Sequence, residues 1–175
     1  MCIRDRIEPL ARSIVPQPLE QKAFYEFGNV IDTSMRKSLL INDGNTERFN
    51  DLAELTLNQS GGKPSINIFR SKPACLPLLL KSFERHPLSS QLFFPLSEQP
   101  YLVIVAPYGD FVSSKIKAFI ASPNQGVNYH PGTWHHYNLA LNEVSDFLVI
   151  DMVIDKENCD EVEIEKGEQV IISAI

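Results

Sequence analysis

Gly126-Val127-Asn128-Tyr129-His130-Pro131-Gly132-Thr133-Trp134-His135-His136 places a Pro-Gly turn between two segments that carry apolar side chains at alternate positions. Alternation with period two marks a half-buried strand, and Pro followed by Gly marks a turn. The stretch therefore reads as strand, turn, strand. It also holds three of the four histidines and the only tryptophan. Imidazoles are the common metal ligands and acid–base groups near neutral pH. On composition alone, a hairpin with surface histidines and a core tryptophan explains the stretch equally well.

The same pattern continues on both sides. Short apolar segments fall at 65–70, 76–85, 91–96, 101–106, 115–121, 126–130, 134–141, 146–153, 161–164 and 169–173, with Pro, Gly, Asn and Ser between them. Strands at this spacing predict an all-β, mainly antiparallel sandwich or barrel. Upstream, Asn42-Asp43-Gly44-Asn45 predicts a hairpin turn within 39–57. A strand is expected at 29–33. One helix is expected over 18–27, with Pro18 in its first turn, Leu19, Ala23, Phe24 and Phe27 on one face, and Gly28 as its stop. Residues 1–16 lack a clear period and read as a poorly ordered leader, one that need not belong to the native protein, before one domain at 17–175.

A chain of 175 residues is long enough for one well-buried core. Its net charge of −6 argues against nucleic acid and anionic membranes as partners, but leaves room for a small anion held by local cations. No apolar run approaches the length of a membrane span. The first residues lack the apolar core of a signal peptide, so a cytoplasmic location is expected. The odd number and wide spacing of Cys2, Cys75 and Cys159 predict neither a disulfide framework nor a CxxC metal site.

Two clusters carry chemistry. Glu84 and His86 are two residues apart, so on a strand both side chains project from one face, and Gln91 can return to them from the next strand. In the second cluster, His135 and His136 must face opposite ways, so only one of them can enter a barrel interior. The spacing resembles the two motifs of the cupin superfamily. Glu84, His86 and Gln91 fall on the positions of the first motif, and Gly132 and His135 on the end of the second. The cupin resemblance implies a β-barrel or jelly roll with a short N-terminal helix. It also implies a mixed nitrogen and oxygen metal site of His86, Gln91, His135 and Glu84, suited to Ni, Mn or Zn. A polar barrel interior without metal is the competing reading.

A narrower resemblance runs from about Pro18 to near the C-terminus. It rests on Phe24-Tyr25-Glu26-Phe27-Gly28-Asn29-Val30-Ile31, on Ile41-Asn42-Asp43-Gly44 with Glu47-Arg48 and Asp51-Leu52, and on Arg70 with Pro73 and Leu76-Pro77. It continues through Glu84-Arg85-His86-Pro87-Leu88 with Gln91, Gln125-Gly126-Val127-Asn128-Tyr129-His130, Trp134-His135-His136, and Asp146-Phe147-Leu148 with Ile150-Asp151. In these residues the chain resembles the ureidoglycolate lyase family, formerly called ureidoglycolate hydrolase. Tyr137-Asn138 departs from the proline-leucine expected after the paired histidines.

The resemblance implies a carbon–nitrogen lyase that splits (S)-ureidoglycolate into glyoxylate and urea, in allantoin degradation and purine nitrogen recovery. It also implies a divalent metal, nickel first, no organic cofactor, and a homodimer. Collapse of the hemiaminal needs a base at the hydroxyl, an acid at the departing nitrogen, and a cation for the carboxylate. His86, His135 and Lys117 are the candidate catalytic residues. Arg48, Arg70, Gln91, Tyr129, His130 and Trp134 are the candidate substrate contacts. Two rivals are an amidohydrolase that releases ammonia from the same substrate, and a non-enzymatic cupin that binds a small carboxylic acid.

Overall fold

The computed structural model describes residues 11–34 and 36–173. The strands are β1 (Arg12–Ile14), β2 (Gln17–Pro18), β3 (Gly28–Ile31), β4 (Ser38–Ile41), β5 (Thr46–Phe49), β6 (Lys63–Ser71), β7 (Leu78–Leu79), β8 (Ser82–Arg85) and β9 (Gln91–Pro95). They continue with β10 (Tyr101–Ala106), β11 (Lys117–Ala121), β12 (Gly126–Tyr129), β13 (Trp134–His135), β14 (Leu139–Ala140), β15 (Ser145–Val153), β16 (Asp160–Glu163) and β17 (Val170–Ile172). One sheet has the order β16-β8-β13-β10-β11-β2, with β14 also on β10, and a second has the order β3-β12-β9-β15-β6. Most pairings are antiparallel. The architecture is all-β and cupin-like, as expected.

The inner faces of the two sheets make the main core. Tyr101, Val103 and Val105 of β10 and Phe119 of β11 meet Phe93, Val127, Tyr129, Phe147 and Val149 of the other sheet. The outer face of β10 is covered as well. Leu102, Ile104 and Ala106 pack with Trp134, Leu139, Val170 and Ile172, beneath the small sheet β1-β17-β7. Burial on both faces is why Tyr101-Leu102-Val103-Ile104-Val105-Ala106 is apolar throughout instead of alternating.

Several sequence expectations are corrected. The helix is only Gln21–Phe24. Pro18 sits in a parallel bridge to Ile120, and the Leu19 N–H donates to the Ile120 carbonyl, so the chain is still extended where the helix was expected to begin. Of the proposed leader, residues 1–10 lie outside the described residues. Its described part is not loose, because β1 pairs in parallel with β17 and Arg12 donates to the Ser113 carbonyl at 2.8 Å. The segment 134–141 is not one strand. Val105 faces His135 and Leu102 faces Leu139, so four steps on one strand oppose three on β10. An extra residue of this kind is a bulge, and it turns Tyr137 outward. The segment 76–85 likewise splits into β7 and β8. The hairpin at 42–45 is present, with left-handed φ at Asn42, Asp43 and Gly44.

His136 lies in the outer core, edge-on to Phe83 with ring centroids 5.9 Å apart. Burial pushes its pKa down to about 4. The fold thus favours the neutral ring, while the unfolded chain binds a proton near pH 6.5. Stability from this residue is complete above pH 6.5 and is lost as the pH falls toward 4, by about 3 kcal/mol in all. Urea unfolding at pH 7 and pH 4.5 should show that loss in the wild type and a clearly smaller one in His136→Leu.

Candidate active site

The site forms where β8, β13 and β9 meet at one end of the barrel. His135 is directly opposite Glu84 across β13 and β8, and its Nε2 lies 3.5 Å from Glu84 Oε1. His86 follows Glu84 by one strand period, and the His86 and His135 ring centroids are 5.3 Å apart. Gln91 opens β9 opposite Tyr129, whose ring stacks on His135 at 4.5 Å. The Gly132 N–H donates to the His86 carbonyl at 2.9 Å, which ties the Pro131-Gly132 turn to the other motif.

Backbone carbonyls fix both tautomers. A carbonyl only accepts, so His135 Nδ1 donates to Thr133 O at 3.0 Å and His86 Nδ1 donates to Asn158 O at 2.8 Å. Each Nε2 is left as a lone pair. Burial, with His135 nearby, lowers the His86 pKa, which keeps that ring neutral at pH 7. When His135 carries a second proton, the imidazolium beside Glu84 holds that carboxyl below its ordinary range, against the opposing effect of burial. The His135–Glu84 distance of 3.5 Å is an electrostatic approach rather than a hydrogen bond.

His86 Nε2, His135 Nε2 and Gln91 Oε1 are all buried without a partner. Each unpaired buried group costs about 1–3 kcal/mol. Three of them in one place mark a site completed by a ligand. The ligand atoms of Glu84, His86 and His135 lie within 4.8 Å of one another. Two neutral imidazole lone pairs and a carboxylate at that spacing suit a divalent ion.

Two cavities flank the cluster. One, of about 290 Å³, is lined by His86, Gln91, Asp151, Lys156, Asn158 and Cys159 among others. The second, of about 280 Å³, is lined by Phe69, Arg70, Glu84, His135, Tyr137 and Asn138 among others. The sequence model of ureidoglycolate lyase matches residues 11–171.

The chain belongs to the ureidoglycolate lyase family. A protein of Burkholderia mallei named ureidoglycolate lyase is 50% identical over 145 residues, covering 83% of this chain and 85% of the relative. One of Pseudomonas fluorescens with the same name is 42% identical over 163 residues, covering 93% and 98%.

Within this ureidoglycolate lyase family fold, the expected residues divide into two groups. Glu84, His86, Gln91, His135 and Tyr129 converge, and Arg70 lines the cavity beside Glu84. Arg70 also binds Asp146 through two bonds, at 2.7 and 2.8 Å.

Lys117, Arg48, His130 and Trp134 line neither cavity. Lys117 shares a row with Val105 and His135 but stands two strands from His135, with Nζ on Glu26 at 2.7 Å. Arg48 is on the exposed β4–β5 hairpin opposite Leu39. Trp134 faces the outer core, donates to Gly109 O at 2.9 Å and stacks under Arg85. His130 is held by its backbone N–H on the Phe27 carbonyl.

Sequence reasoning missed Asp151 and Asn158 as site residues. Asp151 had a legible signal: it continues the core-facing alternation of Phe147 and Val149. Asn158 had none, because its hold on His86 runs through a backbone carbonyl, which any residue supplies.

Proposed function

We propose that this chain cleaves (S)-ureidoglycolate to glyoxylate and urea. The observation that carries the reading is the buried trio of unpartnered atoms on His86, His135 and Gln91, beside a cavity that contains Arg70. Asp146 occupies the Nε edge of Arg70, and the Nη1/Nη2 end of the guanidinium offers the planar fork that suits the substrate carboxylate. With no ion on those lone pairs, the hydroxyl proton is taken at an imidazole Nε2. Glu84, 3.5 Å from His135, stabilises the positive charge that forms there. The carbon–nitrogen bond breaks as the carbonyl forms, and the same proton goes to the departing ureido nitrogen, so no water is consumed. A divalent ion held by Glu84, His86, His135 and Gln91, for which we propose nickel, would supply Lewis acidity toward the hydroxyl.

The proposal includes a single barrel domain over residues 11–173, supported by the pairing of β1 with β17. It also includes a homodimer, supported by exposed Ile66 and Ile68 on the edge strand β6. No helix among the described residues is long and apolar enough to cross a membrane. A cytoplasmic setting for the reaction is part of the proposal.

The test is a product assay on freshly made (S)-ureidoglycolate, with and without a chelator. Equal urea and glyoxylate without ammonia is the expected result. Ammonia in place of urea would identify an amidohydrolase. Binding without turnover in the presence of added nickel would identify a non-enzymatic carboxylic-acid binder.

A further inference from the structure

We propose that Asp151 selects the ureido end of the substrate by accepting its N–H groups. This rests on the function proposed above and extends it to a residue on the opposite side of the reacting cluster from Arg70.

Phe147, Val149 and Asp151 are spaced by two on β15, and the first two are fully buried in the barrel interior. Asp151 therefore continues the interior face to the barrel mouth. A carboxylate there is desolvated, and burial raises its pKa against the opposing effects of His86, Asn67 and Gln91. Asn67 Nδ2 donates to Asp151 Oδ1 at 3.0 Å. A carboxylate has about four lone-pair sites, so this one donor leaves acceptor capacity unused. Gln91, only 5% exposed, lines the same cavity with Oε1 unpartnered.

The cavity wall thus presents acceptors in excess of donors and calls for a ligand rich in N–H. A ureido group has an internal N–H and a terminal NH₂ that point the same way. Two parallel N–H bonds to one carboxylate are the geometry that makes guanidinium–carboxylate pairs strong. A carboxylate end would be repelled by Asp151, although exposed Lys156 at the rim of this cavity offers it a rival cation. Arg70 lies in the other cavity, beyond Glu84 and His135. Cation and anion therefore flank the reacting cluster, matching the carboxylate and ureido group that flank the hemiaminal carbon.

Asp151→Asn is nearly isosteric and replaces one acceptor with a donor. The probes are hydantoate, which carries both carboxylate and ureido group but no hydroxyl, and glyoxylate, which has no ureido group. In the intact protein, Asp151→Asn should weaken hydantoate inhibition by about 10- to 100-fold. Glyoxylate inhibition should stay within about twofold of wild type, which also reports that the site is still formed. The Michaelis constant for ureidoglycolate should rise more than kcat falls. Unchanged hydantoate inhibition would overturn the assignment, and so would equal weakening of both probes, because that places Asp151 in general support of the site. A wild-type protein that neither cleaves ureidoglycolate nor binds hydantoate would remove the function and the assignment together.

Discussion

His86→Ala and His135→Ala should each lower kcat on ureidoglycolate by about 10³-fold or more while the chain stays folded. A well-placed proton-transfer group contributes typically 10²–10⁴-fold. Each of these rings also supplies one of the buried lone pairs that a metal would need. The chain keeps its fold because both apolar cores retain all their own side chains, and only the Tyr129 face of the main core loses a stacking partner in His135→Ala. Removing either ring even relieves an unpartnered buried nitrogen, which offsets part of the lost contact with Tyr129 or His135. Steady-state kinetics with near-ultraviolet circular dichroism on the same samples makes the check. The matched control is Lys117→Ala, whose side chain is engaged with Glu26 and lies outside both cavities. That variant should stay within about twofold of wild type. Near-normal turnover in either histidine variant would dismiss this end of the barrel as the reaction centre. Isothermal titration with nickel separates the roles further, since loss of a ligand weakens metal binding even where no substrate is present.

What the sequence revealed follows from which forces are local. β10 is found at the segment expected, 101–106, because burial on both faces makes its apolar run unmistakable. The pairing of Glu84 with His86, and the opposition of His135 to His136, follow from the period-two rule alone, and both hold. The helix was overestimated because a parallel bridge from Pro18 to Ile120, about a hundred residues away in sequence, overrides local helical spacing. The break at Tyr137 and Asn138 depends on register with β10, which no local pattern encodes. Lys117 reads as site-like in the sequence because it lies on the strand before the second motif, and register does put it in one row with His135. Two intervening strand spacings and the Glu26 carboxylate take it away. Arg48 is separated for a similar reason, since its hairpin projects from the barrel and leaves the side chain exposed.

Gly28→Ala should be the most damaging single methyl in the described chain, costing about 3 kcal/mol or more. Gly28 has a φ of 158°, a conformation that L side chains rarely adopt, so an alanine there is strained from the start. The larger obstacle is steric. A Cβ at Gly28 would stand 1.9 Å from the Asn128 carbonyl oxygen and 2.9 Å from its carbon. Both are backbone atoms of the paired strand β12 and cannot rotate away. β3 must then separate from β12, which loosens the packing of Phe27 and Val30 in the main core. The disturbance also reaches the site. The Phe27 carbonyl, next to Gly28, accepts the His130 N–H and the Thr133 hydroxyl, both at 3.0 Å. Thr133 in turn holds His135 Nδ1. A shifted Phe27 thus relaxes the tautomer and aim of His135, and kcat should fall even at temperatures where the variant is folded. Differential scanning calorimetry should show a Tm drop of roughly 10 °C. Gly167→Ala is the control, because a Cβ there meets nothing within 4 Å. If Gly28→Ala melts with that control, β3 and β12 do not approach this closely, and the link from Phe27 to His135 fails with them.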